Sequence, residues 1–294
     1  MKTTINLARS LAALVVITTL IFISCKKETS KDNPQDDTTF ATVSSTSSLE
    51  SDAAFNDVFN NVVGVNEEVA FGGTGVFARV LSVDSTTNPC FTVQVTRLNA
   101  PEKFPVKTVI DFGAGCKGRD SITRKGKIIT VYSGPLTVPG KIAETTFDGY
   151  YLNDVHIEGS HRIENTSSAQ ALSFKVNVTD GKLTMPNGNY AQRTSVYTIV
   201  QTEGYGTPYW LKDDVLSING EANGTVKTDS LFFKWNSKTV EPLIKKFTCP
   251  WIVKGKIGIG KASTDAAIID YGDGSCDNKA TIIINNSTIE ISLH

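Results

Sequence analysis

The chain has 294 residues, and its 29 basic residues are balanced by 30 acidic ones. This balance argues against the basic footprint of a nucleic-acid-binding protein, so no nucleic acid partner is predicted. Glycine is abundant (23 residues) and Met is scarce (2), and short β-branched segments alternate with Gly, Asn and Asp. This composition predicts an all-β chain.

The first 24 residues have the layout of a secretion signal. Lys2 and Arg9 supply positive charge, and residues 11–23 form an apolar segment that is too short to cross a bilayer as a helix. Cys25 follows directly after a small residue, which resembles the lipobox of bacterial lipoproteins. We therefore expect Cys25 to be lipidated, with a generic signal peptide and an incidental cysteine as the alternative.

Residues 25–48 follow as the predicted lipidated cysteine and tether. The segment after Cys25 is polar and rich in Lys, Asp, Thr and Ser, with almost nothing to bury. Such a composition predicts disorder.

Residues 49–63 are predicted to form one short helix. Ser47 and Glu50 fit a capping box at its start. The helix is expected to pack on the edge or base of the first β unit, and a membrane-lying helix is the alternative. Its apolar residues recur at helical spacing: Phe55, Val58, Phe59, Val62 and Val63.

From residue 76 onward the pattern predicts strand after strand. Turn dipeptides such as Asp180-Gly181, Asn187-Gly188, Asn219-Gly220 and Asn223-Gly224 predict hairpin turns. The antiparallel strands are expected to form a sandwich-like pair of sheets or one elongated sheet. We assign 49–140 to the helix and a first cysteine module, 141–245 to a central β region, and 246–294 to a second cysteine module.

Four cysteines remain beyond Cys25, an even number that predicts two disulfides in an exported chain. Three pairings are open, and zinc or free thiols are the alternatives. A motif of Asp, an aromatic residue, glycines and Cys occurs twice, at 111–116 and at 270–276. Each copy has an earlier cysteine at nearly the same distance, which favours the pairs Cys90–Cys116 and Cys249–Cys276.

No motif predicts a catalytic residue, a metal site or a cofactor. The second copy of the motif fails the EF-hand pattern, although a looser calcium site on Asp270, Asp273 and Asp277 is an alternative to a structural turn. His156 and His161 have an odd spacing in a predicted strand, so they are expected on opposite faces and are interpreted as ordinary surface or edge residues.

Residues 204–210 form an aromatic loop with candidate ligand-contact residues. Tyr205, Tyr209 and Trp210 could stack on a sugar ring or dock a partner protein. The favoured alternative is an aromatic plug at the end of the β structure.

The lipobox, the polar tether and the duplicated motif together resemble a family of lipoproteins from Bacteroidetes-type bacteria. The resemblance covers most of the chain and implies a place in the cell envelope, at the outer membrane, facing the surface or the periplasm. It implies no molecular activity. We expect a non-enzymatic binding or structural protein, attached to the membrane by its lipid and contacting a glycan or an envelope protein. A glycan-processing or other hydrolytic envelope enzyme is the alternative.

Overall fold

The computed structural model describes residues 34–63, 90–118, 121–168, 171–205, 213–249, 251–261, 264–285 and 287–293. They form one helix and fourteen strands. In chain order these are α1 (Pro34–Val63), β1 (Thr92–Arg97), β2 (Val106–Asp111), β3 (Cys116–Lys117), β4 (Thr123–Tyr132), β5 (Ile142–Leu152), β6 (Val155–Asn165), β7 (Ser173–Thr184), β8 (Tyr190–Glu203), β9 (Val215–Thr228), β10 (Leu231–Lys246), β11 (Ile252–Lys261), β12 (Thr264–Asp273), β13 (Lys279–Ile284) and β14 (Ser287–Ser292).

All fourteen strands belong to one antiparallel sheet. Each strand pairs with the next along the chain, except that β2 pairs with β4 and the short β3 pairs with β4 beside it. The predicted all-β class is confirmed, in the form of one elongated sheet rather than a sandwich. The sheet continues through both predicted module boundaries, because β4 pairs with β5 and the second boundary falls inside β10.

Helix α1 lies against one face of this sheet, which we call the inner face; the other is the outer face. The side chains of the predicted apolar stripe are all buried, with Val58 and Val63 at 0% exposure. The C-terminal half of α1 packs against inner-face residues such as Ile128 and Ile157, and its N-terminal half packs against Trp235 and the strands that follow it. Among the described residues, the inner face of the sheet therefore shares its hydrophobic core with α1. In the part of the chain that the structure describes, no helix is both long and apolar enough to cross a membrane.

The helix begins at Pro34 rather than near residue 49, so residues 34–48, predicted to belong to a disordered tether, are helical. Phe40 and Ala41 are buried against the inner face of the sheet, and Phe40 meets Phe233 edge to face at 5.5 Å. Ser and Thr are weak helix formers, so tertiary packing stabilises this half of α1. The predicted capping box is mid-helix instead, where Ser51 donates a hydrogen bond to the carbonyl of Ser47.

Three of the dipeptides predicted as turns lie inside strands. Asp180-Gly181 forms a bulge in β7, and both Asn-Gly pairs at 219–220 and 223–224 lie within β9. The glycines serve close packing on the inner face. A Cβ atom on Gly224 would stand 2.3 Å from the indole ring of Trp235, and one on Gly181 would stand 2.7 Å from the ring of Phe55. Glycine within a strand often marks a bulge or a close approach of this kind.

The two predicted disulfides are present. Cys90 is bonded to Cys116 with 5.3 Å between their Cα atoms, and Cys249 to Cys276 with 5.7 Å. The first bond ties the entry to β1 to β3, and the second ties the end of the β10 region to the turn after β12. The duplicated motif thus fastens segments that are not paired with each other, one near the β1 end of the sheet and one around β11.

A buried ion pair fixes the C-terminal half of α1 on the sheet. The carboxylate of Asp57 accepts hydrogen bonds from the guanidinium of Arg124 on β4 and from the hydroxyl of Tyr150 on β5, at 3.0 Å. The Arg124 side chain is 2% exposed. Burial, and then the negative charge of Asp57, raise the pKa of Tyr150 well above its ordinary value, so this hydroxyl stays a donor.

A second pair of the same composition holds the middle of α1. Nη1 of Arg193 on β8 lies 2.6 Å from Asp52, and Nη2 donates to the hydroxyl of Tyr197 at 3.2 Å. Burial alone would lower the pKa of Arg193, but the neighbouring Asp52 carboxylate raises it. Two Asp-Arg-Tyr contacts, about one and a half turns apart on one helix, therefore define how α1 sits on the inner face.

Candidate functional site

Nine side chains on the outer face of β8, β9 and β10 form a polar surface with two aromatic residues, which we call the outer-face patch. Their outward direction follows from strand alternation, because neighbours such as Ala191, Arg193 and Trp235 point to the helix. The patch consists of Tyr190, Gln192 and Thr194 on β8, Asn223, Thr225 and Lys227 on β9, and Phe232, Lys234 and Asn236 on β10.

The strand register arranges the outer-face patch in three rows. The first row is Tyr190, Lys227 and Phe232, the second is Gln192, Thr225 and Lys234, and the third is Thr194, Asn223 and Asn236. Neighbouring strands lie about 4.8 Å apart and alternate residues about 7 Å apart, so the patch measures about 10 Å by about 14 Å. An extended ligand can therefore contact an aromatic residue in the first row and amide groups in the third.

Asn189 holds the aromatic row in place. Its amide donates to the hydroxyl of Thr228 at 3.2 Å, and its side-chain oxygen accepts a hydrogen bond from the backbone of Asp229 at 2.9 Å. These bonds join the β7–β8 turn to the β9–β10 turn. Tyr190 and Phe232, which follow those two turns, are thereby fixed at the same level of the sheet.

The inner face supports the patch from behind. Arg193 is tied to the helix through Asp52, and the indole ring of Trp235 lies across the backbone of Gly224. Arg193, Gly224 and Trp235 occupy the row between the second and third rows of the patch. The floor of the patch is therefore backed by the packed helix–sheet core, which makes it a rigid surface.

The second and third rows line a shallow groove of about 650 Å³ that also includes Asp180 from the bulge in β7. Within the groove, the hydroxyl of Thr225 donates to the side-chain oxygen of Gln192 at 3.3 Å. Amides and hydroxyls of this kind donate and accept hydrogen bonds without a change of charge. Among the described lining residues Asp180 is the single carboxylate, and Lys234 is the exposed cation.

Phe232 gives the patch an exposed apolar surface. Its side chain is 52% exposed, and Tyr190 lies in the same row, with the Nζ atom of Lys182 at 5.6 Å from the centre of its ring. Pockets for small molecules combine apolar surface with a few placed polar groups. The outer-face patch offers both an apolar surface and placed polar groups, a combination that suits ligand binding.

Of the predicted ligand-contact residues, only Tyr205 lies among the described residues; Tyr209 and Trp210 lie outside them. Tyr205 is 55% exposed, and its hydroxyl donates to the carbonyl of Gln201 at 2.7 Å. It lines a depression of about 370 Å³ with residues such as Leu172 and Ser167. This depression lies at the far end of β8 and is separate from the outer-face patch. Cys25 also lies outside the described residues.

The acidic residues of the duplicated motif cap turns. Asp111 accepts a hydrogen bond from the backbone of Gly113 at 2.8 Å, and Asp270 accepts one from Gly272 at 2.9 Å. Asp273 and Asp277 make the same two-residue contact with Ser275 and Lys279. Within the described ranges, no group of three or more His, Cys, Asp or Glu side chains is placed to hold a metal ion.

The two histidines of β6 lie in different surroundings. His156 stacks on Tyr151 at 4.6 Å and is half-buried, whereas His161 is 1% exposed and stacks on Phe55 in the core. The interpretation of His161 as a surface or edge residue is therefore wrong. Burial lowers the pKa of His161 to about 3, so its imidazole is neutral in the folded protein.

The patch was missed by sequence reasoning, although one signal was available. Leu231, Phe232 and Phe233 are three consecutive apolar residues at the start of a strand. Since successive residues face opposite sides, at least one of them must point away from the core. Which of the polar residues surround it depends on the register of three strands, and no local pattern encodes that register.

The chain was compared with protein-family models, with curated protein sequences and with solved structures, and no match was found. The geometry of the outer-face patch therefore stands as the basis for a functional proposal.

Proposed function

We propose that this protein is a non-enzymatic, lipid-anchored protein of the cell envelope that binds a glycan on the outer-face patch. Lipidation of Cys25 would attach it to the outer membrane, and the sheet would present the patch to the ligand. The single observation that carries the binding proposal is the position of Phe232, which is 52% exposed and lies beside two rows of amide, hydroxyl and lysine side chains.

The chemistry of sugars supports this choice of ligand. A pyranose ring has an apolar face that stacks on an aromatic side chain and a rim of hydroxyls that both donate and accept hydrogen bonds. Gln192 supplies an amide two residues from the aromatic row, and Asn223 and Asn236 supply amides four residues from it. A peptide ligand would instead favour a free sheet edge, where its backbone could pair.

The alternative is a glycan-processing enzyme. Glycoside hydrolysis uses two carboxyl groups that flank the scissile bond. In the groove, Asp180 would need a second acidic side chain facing it, and the described lining offers amides and Lys234 at the surrounding positions. We therefore favour binding.

Replacing Phe232 with alanine should weaken binding to a glycan by about two- to twelvefold, since an aromatic stacking contact contributes about 0.5–1.5 kcal/mol. The measurement is a glycan array followed by calorimetric titration of the best ligand, with the full chain in detergent. The matched control is Tyr205→Ala, because Tyr205 is 55% exposed but lies away from the patch. Unchanged binding by Phe232→Ala, with loss in Tyr205→Ala, would place the site on the aromatic loop. No binding to any glycan would overturn the proposal.

A further inference from the structure

We infer that the ligand of the outer-face patch carries negative charge, as an acidic polysaccharide does; this inference rests on the proposed function. The nine residues of the patch include two lysines and no acidic residue. Lys227 and Lys234 are both exposed. The patch therefore combines a stacking surface, neutral hydrogen-bonding groups and net positive charge.

The two lysines are diagonal neighbours on adjacent strands. Lys227 of β9 is opposite Phe232 of β10, and Lys234 follows two residues later on β10. Diagonal positions of this kind lie about 7–8 Å apart, within the reach of two long side chains that converge on one group. A carboxylate or sulfate attached to a sugar stacked on Phe232 would lie between the two ammonium groups.

The surroundings of these lysines differ from those of several other lysines of the sheet. Lys127 pairs with Asp148, Lys256 with Glu241 and Lys279 with Glu290, at 2.8–3.4 Å. Lys227 and Lys234 have no carboxylate oxygen within 4 Å among the described residues. Their charges are therefore available to an anionic ligand, which need not displace an internal partner.

Lys182 extends the positive charge toward β7, but it is already engaged. Its Nζ atom lies 3.6 Å from Glu158 and 5.6 Å from the centre of the Tyr190 ring. Asp180 lies at the same side of the groove and supplies negative charge there. This distribution places the anionic group of the ligand over β9 and β10 and its neutral hydroxyls over β7 and β8.

The test compares three polysaccharides on the full chain: polygalacturonate, which carries carboxylates, chondroitin sulfate, which carries sulfates and carboxylates, and dextran, which is neutral. Binding to at least one acidic polymer should be about tenfold tighter than to dextran and should weaken as salt is added. The arms with carboxylate and with sulfate distinguish the two sources of charge. Equal binding to dextran, or binding to none of the three polymers, would overturn the inference while leaving the proposed function in place. Absence of binding across the whole glycan array would overturn the proposed function itself.

The variant Lys227→Met with Lys234→Met should lose about tenfold in affinity for the acidic polymer and little for dextran, since two partly exposed ion pairs contribute about that much. The matched control is Lys103→Met with Lys117→Met, which removes the same charge near the β1 edge of the sheet, away from the patch. Equal losses in both double variants, or equally tight binding of a polynucleotide or of anionic lipid vesicles, would show attraction to bulk charge and contradict the inference. Urea unfolding of each variant checks that the fold is intact.

Discussion

Replacing Asp57 with asparagine should lower the free energy of unfolding by about 3–5 kcal/mol. The substitution leaves the guanidinium of Arg124, whose side chain is 2% exposed, without the carboxylate that neutralises it. It also weakens the contacts that Tyr150 and Asn61 make with the same carboxylate, at 3.0 Å each. A buried cation without its partner retains its desolvation cost, which is why the expected loss exceeds that of a surface ion pair. Urea unfolding, followed by circular dichroism, measures it.

The control for this experiment is Asp37→Asn, which removes an exposed carboxylate from the same helix. It should change stability by less than about 0.5 kcal/mol. The double variant Asp57→Leu with Arg124→Met should be more stable than Asp57→Asn, because it removes both charges together. A loss below about 1 kcal/mol in Asp57→Asn would mean that Asp57 does not fix the position of α1.

Acidification should destabilise the protein through His161. Its pKa is lowered by burial from 6.5 to about 3, so the unfolded chain binds a proton that the folded chain excludes. The stability linked to this group is fully present above pH 6.5 and is lost as the pH falls toward 3. Between pH 6 and pH 4 the loss from this residue alone is about 2.5 kcal/mol.

The variant His161→Leu should remove this part of the pH dependence. The quantity to compare is the difference in unfolding free energy between pH 6 and pH 4, because any change in packing affects both values. His156→Gln is the control, since His156 is half-buried at the outer face of the same strand. If His161→Leu and the parent protein lose the same stability on acidification, then His161 is not the group responsible.

Features that depend on short segments could be predicted from the sequence. The stripe from Phe55 to Val63 has helical spacing, and it is buried as expected. In both copies of the repeated motif, Asp111 or Asp270 caps the same kind of turn. The cysteine at the end of each copy is bonded to the cysteine that precedes that copy in the sequence. Both features follow from residues within about thirty positions of one another, where local spacing constrains structure.

The remaining features depend on long-range packing. Residues 34–48 are helical because the sheet covers Phe40 and Ala41, although their Ser and Thr neighbours favour other structure. Gly224 lies within a strand because the indole ring of Trp235 packs where a Cβ atom would otherwise stand. Asp57 meets Arg124, 67 residues away, and the sequence holds no signal for that partner. The outer-face patch likewise exists only in the register of three strands.

The most direct test of the proposed binding surface is lysine acetylation footprinting of the full chain, with and without polygalacturonate oligomers. Mass spectrometry of the digested protein reports the acetylation rate of each lysine. The proposal predicts that the oligomers slow acetylation of Lys227 and Lys234 and leave Lys103 and Lys117 unchanged. Saturating binding that leaves Lys227 and Lys234 as reactive as in the free protein would contradict the assignment of the ligand to the outer-face patch.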